Sequence, residues 1–165
     1  MVCFQLDYCS VIMHQSMSGI YVVIAELPKA MDIQIGKRRK DHFEAGFYGY
    51  VGSALSGLEK RLARHLGNRK RLHWHIDYLL NVATVRAVVY AETSQKKECL
   101  IAHALSGKLA AKSNFGCSDC NCPSHLFFCQ NLEDLNEAML DSFKLLGLNP
   151  SKVAGSADFT VCRRQ

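Results

Sequence analysis

An α+β fold, a small antiparallel sheet flanked by helices, is predicted by three features of the sequence. The first is a β-branched run at residues 20–27, stopped by Pro28. The second is the aromatic stretch from Phe47 to Val51, where Gly46 and Gly49 mark a bend or a bulge and the chain returns as a hairpin. The third is a pair of apolar stripes at helical spacing, Leu58, Leu62 and Leu66 early and Leu132, Leu135, Met139, Phe143 and Leu146 late. A chain of 165 residues with 48% hydrophobic content can bury one sizeable core, so a single domain over 1–165 is expected.

Taken in order, the first 16 residues alternate apolar and polar around Phe4, Leu6 and Tyr8 but carry no motif. Ile33 and Ile35 alternate in a second, weaker strand, and residues 36–40 read as a basic turn. Ser56 and Glu59 form a Ser-x-x-Glu capping signal, so a helix should start near Gly57 and stop at Gly67. On that helix Arg61 and His65 flank the apolar stripe, while Lys60 and Arg64 turn toward solvent or phosphate. Helical spacing over 72–83 is followed by a buried strand over 85–92. Thr93 or Ser94 can cap a helix over 96–108, with Glu98 in the first turn where the helix dipole favours a carboxylate. A loop rich in glycine and cysteine, a short strand over 125–129 and an amphipathic helix over 131–147, capped by Asn131 and ended by Gly147, complete the chain. No element is expected beyond Pro150.

Net charge is +5, and its distribution is more informative than its size. Lys37, Arg38, Arg39 and Lys40 are consecutive, and Lys60, Arg61, Arg64, Arg69, Lys70 and Arg71 follow with no acid among them. Such clustering is the footprint of a surface that meets a polyanion, although a solvated loop and helix face would look the same. No run approaches the ~20 apolar residues of a membrane span, and the N-terminus does not read as a signal peptide. With eight cysteines scattered rather than framed, a reducing compartment, the cytoplasm, is the expectation.

Cys117, Cys120, Cys122 and His125 place four soft donors within nine residues, a spacing that could close on tetrahedral zinc. Reduced cysteines packed against Phe115 and Phe127 are the other outcome. His73, His75 and Asp77 do not share one helix face, which argues against a metal site there. Trp74 could stack on a base or pack in the core.

Gly19-Ile20-Tyr21, Tyr50-Val51-Gly52-Ser53-Ala54 and Glu59-Lys60-Arg61-x-x-Arg64-His65 together resemble the GIY-YIG nuclease core. With the run from Arg71 to Leu80, Phe115 to Cys120 and Ser124-His125-Leu126, the chain is similar over 16–128 to the small GIY-YIG-like domain of unknown function found alone or fused to endonuclease III. The resemblance implies a metal-dependent phosphodiester hydrolase acting on DNA, with a role in repair. Tyr21, Tyr50, Arg61, His65 and Glu98 would occupy its working positions, with Gly52 beside them. Glu98 would hold one Mg²⁺ or Mn²⁺ through oxygen, Arg61 would clamp phosphate, and Tyr50 would take a proton from water, helped by Tyr21 or His65. A free tyrosine of pKa about 10 is only ~0.1% phenolate at pH 7, a handicap of roughly 4 kcal/mol, so Tyr50 is a useful base only beside Arg61 and the metal. A binding module without catalysis and a zinc-stabilised interaction domain are the alternatives.

Overall fold

The computed structural model describes residues 17–67 and 71–154. Arg69 and Lys70 lie outside the described residues. The architecture is α+β. Strands β1 (Gly19–Leu27), β4 (Gly46–Ala54), β5 (Thr84–Glu92), β6 (Ala110–Ala111), β7 (Leu126–Cys129) and β8 (Ser151–Ala154) form one antiparallel sheet in the order β6-β7-β4-β1-β5-β8. A separate two-stranded ribbon joins β2 (Met31–Ile35) to β3 (Arg39–Phe43). Among the described residues, four helices complete the fold: α1 (Leu58–Leu66), α2 (His75–Leu80), α3 (Glu98–Ser106) and α4 (Leu132–Leu145).

Strand β1 is central and buried on both faces, which is why its sequence reads as a nearly unbroken apolar run. Because successive strand residues point to opposite sides, its two sets of side chains belong to different cores. Ile20, Val22 and Ile24 pack with Val51, with Ile101 and Leu105 of α3, and with Leu135, Met139 and Phe143 of α4. Tyr21 and Val23 pack on the other face with Leu58 and Leu62 of α1. The ribbon and α2 extend that second face through Ile33, Phe43, Tyr48, Ile76 and Leu79.

Several local expectations fail for identifiable reasons. The Ser56–Glu59 capping box does not form. Gly57, at φ 131°, takes the N-cap position without a side-chain bond, and the Leu58 amide instead donates to the Met17 carbonyl at 2.8 Å. Thr93 Oγ1 accepts from the Gln95 amide, shaping the approach to α3, which starts only at Glu98. Arg39 and Lys40 belong to β3 rather than to a turn, because pairing with β2 extends the hairpin. Residues 72–74 precede α2 without being helical. The segment after Pro150 is a strand, since β5 offers an edge that Ser151–Ala154 can pair with. Helix α4 matches its signals: Asn131 Oδ1 accepts from the Glu133 and Asp134 amides, and Gly147 at φ 68° closes the helix with Leu148 N–H bonded to the Phe143 carbonyl.

Asn131→Ala leaves two helix-end N–H groups without their acceptor, so unfolding in urea should show a loss of about 1 kcal/mol, largely recovered by Asn131→Asp.

Candidate functional site

The motif residues of β1, β4 and α1 converge on one face of the sheet. Tyr21 and Gly52 are paired across β1 and β4, and a Cβ built on Gly52 would lie 2.5 Å from the Tyr21 hydroxyl. Glycine is therefore required for the phenol to lie flat over β4. The phenol reaches His65 of α1, with Tyr21 Oη 2.8 Å from Nε2. Tyr50 packs against the edge of the same imidazole at a centroid distance of 6.2 Å. It also packs against Phe115, and Gly116, at φ 71°, lies close to its ring. Tyr21 is buried, whereas Tyr50 and Arg61 are partly exposed, so Tyr50 is the phenol that water can meet.

Burial raises the pKa of Tyr21 far above its usual value, and the neighbouring Tyr50 adds to that rise while Arg61 opposes it. Burial likewise pushes Tyr50 up to about 12, with Arg61 pulling it back and the acidic Asp119 and Asp77 pushing it further. The guanidinium works in the expected direction but does not prevail. With its pKa at about 12, roughly one Tyr50 in 10⁵ is ionised at pH 7.

Arg61 and Arg64 both lie over the Trp74 ring, at 4.5 and 3.8 Å from its centre, and the Trp74 ring lies 5.6 Å from that of His65. Arg64 is only partly exposed. Its guanidinium makes a two-pronged pair with the buried Asp77, Nη1 to Oδ1 at 2.9 Å and Nη2 to Oδ2 at 2.7 Å. Asp77 Oδ2 also accepts from the His73 and Trp74 amides, and Oδ1 stands 4.0 Å from His65 Nδ1. Burial alone would raise the Asp77 pKa, but Arg64 and the two amides outweigh it and hold the carboxyl below the usual range. The run from Arg71 to Leu80 thus braces the tyrosine face: Asp77 fixes Arg64 and Trp74, and His75 Nδ1 accepts from the Gly116 amide at 3.3 Å.

The other basic candidates divide in the same way. Lys37, Arg38, Lys60 and Arg71 are exposed. Arg39 is a tether, bonded to the Ser113 and Asn114 carbonyls at 2.8 Å and to Asp41 at 2.6 Å, and Lys40 pairs with Asp32.

Glu98 does not join the phenols by direct contact. Helix α3 packs on the opposite face of the sheet, and among the described residues no hydrogen bond or ion pair links Glu98 to Tyr21, Tyr50 or Arg61. Its carboxylate is buried, with Oε1 3.4 Å from Lys96 Nζ and Oε2 lacking a hydrogen-bond partner among the described residues. Lys96 in turn lies 3.9 Å from Asp119, an acid whose charge Tyr50 feels.

Beside Glu98 stands a second constellation. Cys99, Cys120, Cys122 and His125 bring three thiols and an imidazole together, all donor atoms within 4.8 Å of one another, an arrangement that could hold a metal ion. Cys117, expected as the first ligand, is outside this group. Its carbonyl accepts from the Cys120 amide at 3.4 Å, which turns the loop, and Cys99 from α3 fills the fourth place. Sequence reading missed Cys99 because it is 21 positions before Cys120, although it directly follows the candidate carboxylate. Burial lowers the pKa of His125 and raises those of Cys99 and Cys122, the latter to about 12.

With this geometry in view, comparison with known proteins is informative on family alone. The model of a domain of unknown function, DUF123, matches residues 20–148. The chain belongs to that family. The match spans both the tyrosine face and the Cys/His group, so they are parts of one family domain. No curated protein and no solved structure matches the chain. No helix among the described residues is long and apolar enough to cross a membrane.

Asp77 titrates at a depressed value when folded, so its contribution is present above about pH 4 and is lost as pH falls through the folded value. Asp77→Asn should cost about 2 kcal/mol at pH 7, less than a fully dry pair because Arg64 is partly solvated. Between pH 5 and 3, in round terms, the variant should lose less stability than the parent chain in chemical denaturation.

Proposed function

We propose that this protein is a metal-dependent phosphodiester hydrolase of the GIY-YIG type, acting on DNA and serving in repair. The observation that carries the reading is the Tyr21–His65 contact at 2.8 Å, with Tyr50 and Arg61 at the same place. Three separated sequence motifs meet there, and a buried phenol held by an imidazole is more than strand packing requires.

In this reading Arg61, steadied on Trp74, clamps the non-bridging oxygens of the phosphate with its fork of donors. Tyr50 would serve as base only as the phenolate that Arg61 and a bound ion would favour, its own proton having passed to solvent; it would then take the proton of the attacking water as the water oxygen bonds to phosphorus and the P–O bond to the leaving sugar oxygen breaks, that oxygen taking a proton from solvent water. Tyr21 and His65 orient Tyr50 and offer the proton a route onward. Glu98 fits a hard divalent ion, because one carboxylate oxygen is buried without a hydrogen-bond partner among the described residues and a single carboxylate with phosphate and water suffices for Mg²⁺ or Mn²⁺. Such an ion, when bound, supplies positive charge for the developing negative charge on phosphorus and lowers the pKa of nearby water and phenol. The 112–125 loop would be the link between the acid and the phenols, since its Asp119 lies 3.9 Å from Lys96, the ion-pair partner of Glu98, and its charge acts on Tyr50. Exposed Lys37, Arg38, Lys60 and Arg71 would hold the strand by its phosphates.

A second reading, a zinc-stabilised domain that binds nucleic acid without cutting it, is favoured by the neutral state in which burial keeps both phenols. Zinc suits the soft donors of the Cys/His group in either reading.

Supercoiled plasmid incubated with Mg²⁺ or Mn²⁺ separates the two. Nicking is expected, reduced at least about 10²-fold by Tyr50→Phe and by Glu98→Gln. Retarded plasmid without nicks, equal for parent and variants, establishes the binding module instead.

A further inference from the structure

We propose that the Cys/His group is a closed tetrahedral zinc centre, completed by Cys99, whose task is to fix the first turn of α3 and with it the Glu98 carboxylate. The part concerning Glu98 rests on the hydrolase reading. The zinc centre itself does not.

Distances support a tetrahedral ion. Zinc bonds of about 2.3 Å to sulfur and about 2.05 Å to nitrogen at the tetrahedral angle put sulfur and nitrogen about 3.6 Å apart. Nε2 of His125 lies 3.5 Å from Cys120 Sγ and 3.9 Å from Cys99 Sγ. Three thiolates with one imidazole leave no open position, the mark of a structural rather than a catalytic ion. The donors come from two segments far apart in sequence, Cys99 from the start of α3 and Cys120, Cys122 and His125 from the loop, between which the Lys96–Asp119 ion pair at 3.9 Å is exposed. That start needs fixing, because α3 has no side-chain N-cap and its first residue carries a buried carboxylate whose ion pair among the described residues is with the exposed Lys96.

The loop end is already anchored. His125 donates and accepts through its backbone, with its amide bonded to the Phe115 carbonyl at 2.8 Å and its carbonyl accepting from Val51 at 2.9 Å. Phe115 in turn packs on Tyr50. Zinc would therefore lock the acid's helix to the strand that carries the phenol, through residues adjacent in sequence at both ends: Cys99 beside Glu98, and Val51 beside Tyr50.

Elemental analysis of the purified full chain should find about one zinc per molecule. Cobalt put in its place should show tetrahedral d–d bands with thiolate-to-cobalt charge transfer. Cys117→Ser should keep the ion, whereas Cys99→Ser should lose it to a chelator at least tenfold more readily. Should Cys99→Ser fail to fold, alkylation of the parent chain decides: in the zinc-loaded protein Cys99, Cys120 and Cys122 should be protected while Cys117 reacts. Absence of stoichiometric zinc, six-coordinate cobalt spectra, or protection of Cys117 with reaction of Cys99 would overturn the centre. The role toward Glu98 is read by Mn²⁺ binding in electron paramagnetic resonance. Zinc-loaded protein should bind Mn²⁺, Glu98→Gln should bind it at least tenfold more weakly with zinc retained, and stripping zinc should weaken it similarly. Equal Mn²⁺ affinity with and without zinc sinks the positioning role and leaves the centre standing. Failure of plasmid nicking, by contrast, touches only the hydrolase reading.

Discussion

Strand β7 pairs with β4 only from Phe47 to Tyr50, and this early stop shapes everything around the candidate site. Beyond it the edge of β4 cannot be left bare, since unmatched backbone groups beside a packed core are costly. The 112–125 loop takes up that edge. Val51 donates to His125, Phe115 and Gly116 lie against Tyr50, and the loop's cysteines meet the start of α3. A gap in a sheet is thereby filled with polar chemistry rather than with another strand.

Alternation along β1 adds a second constraint. The residues that carry Tyr21 and those that carry Ile20 and Val22 face different cores, so helices α1 and α3 are separated by the thickness of the sheet. Cooperation between a phenol from one face and a carboxylate from the other is possible only around an edge. In this fold that is the edge covered by the loop, which is where Glu98, Lys96 and Asp119 gather.

Buried polar groups on the tyrosine face act as one unit. Asp77 accepts four donors, Arg64 is held by it and stacked on Trp74, and Arg61 lies over the same ring. In a low-dielectric setting each partner makes the others more expensive to remove, which favours one arrangement of Arg61 and His65 over many. Burial has the opposite effect on the phenols, holding them neutral, so any base chemistry at Tyr50 depends on added positive charge.

Local sequence settled what local forces control: the apolar run of β1, the stripe and Asn131 cap of α4, and the placing of Arg61 and His65 on the flank of the α1 stripe. Those groups lie on regular elements whose facing follows from period and pairing. What tertiary structure alone decided were the contacts made across distance. Cys99 rather than Cys117 completes the donor group, Arg64 and Arg39 are structural ties rather than free cations, and Thr93 and Ser56 cap no helix. Spacing along a chain limits which donors can be neighbours, but the helix packing that brings α3 to the loop belongs to the core on the other face, and nothing in the cysteine motif encodes it.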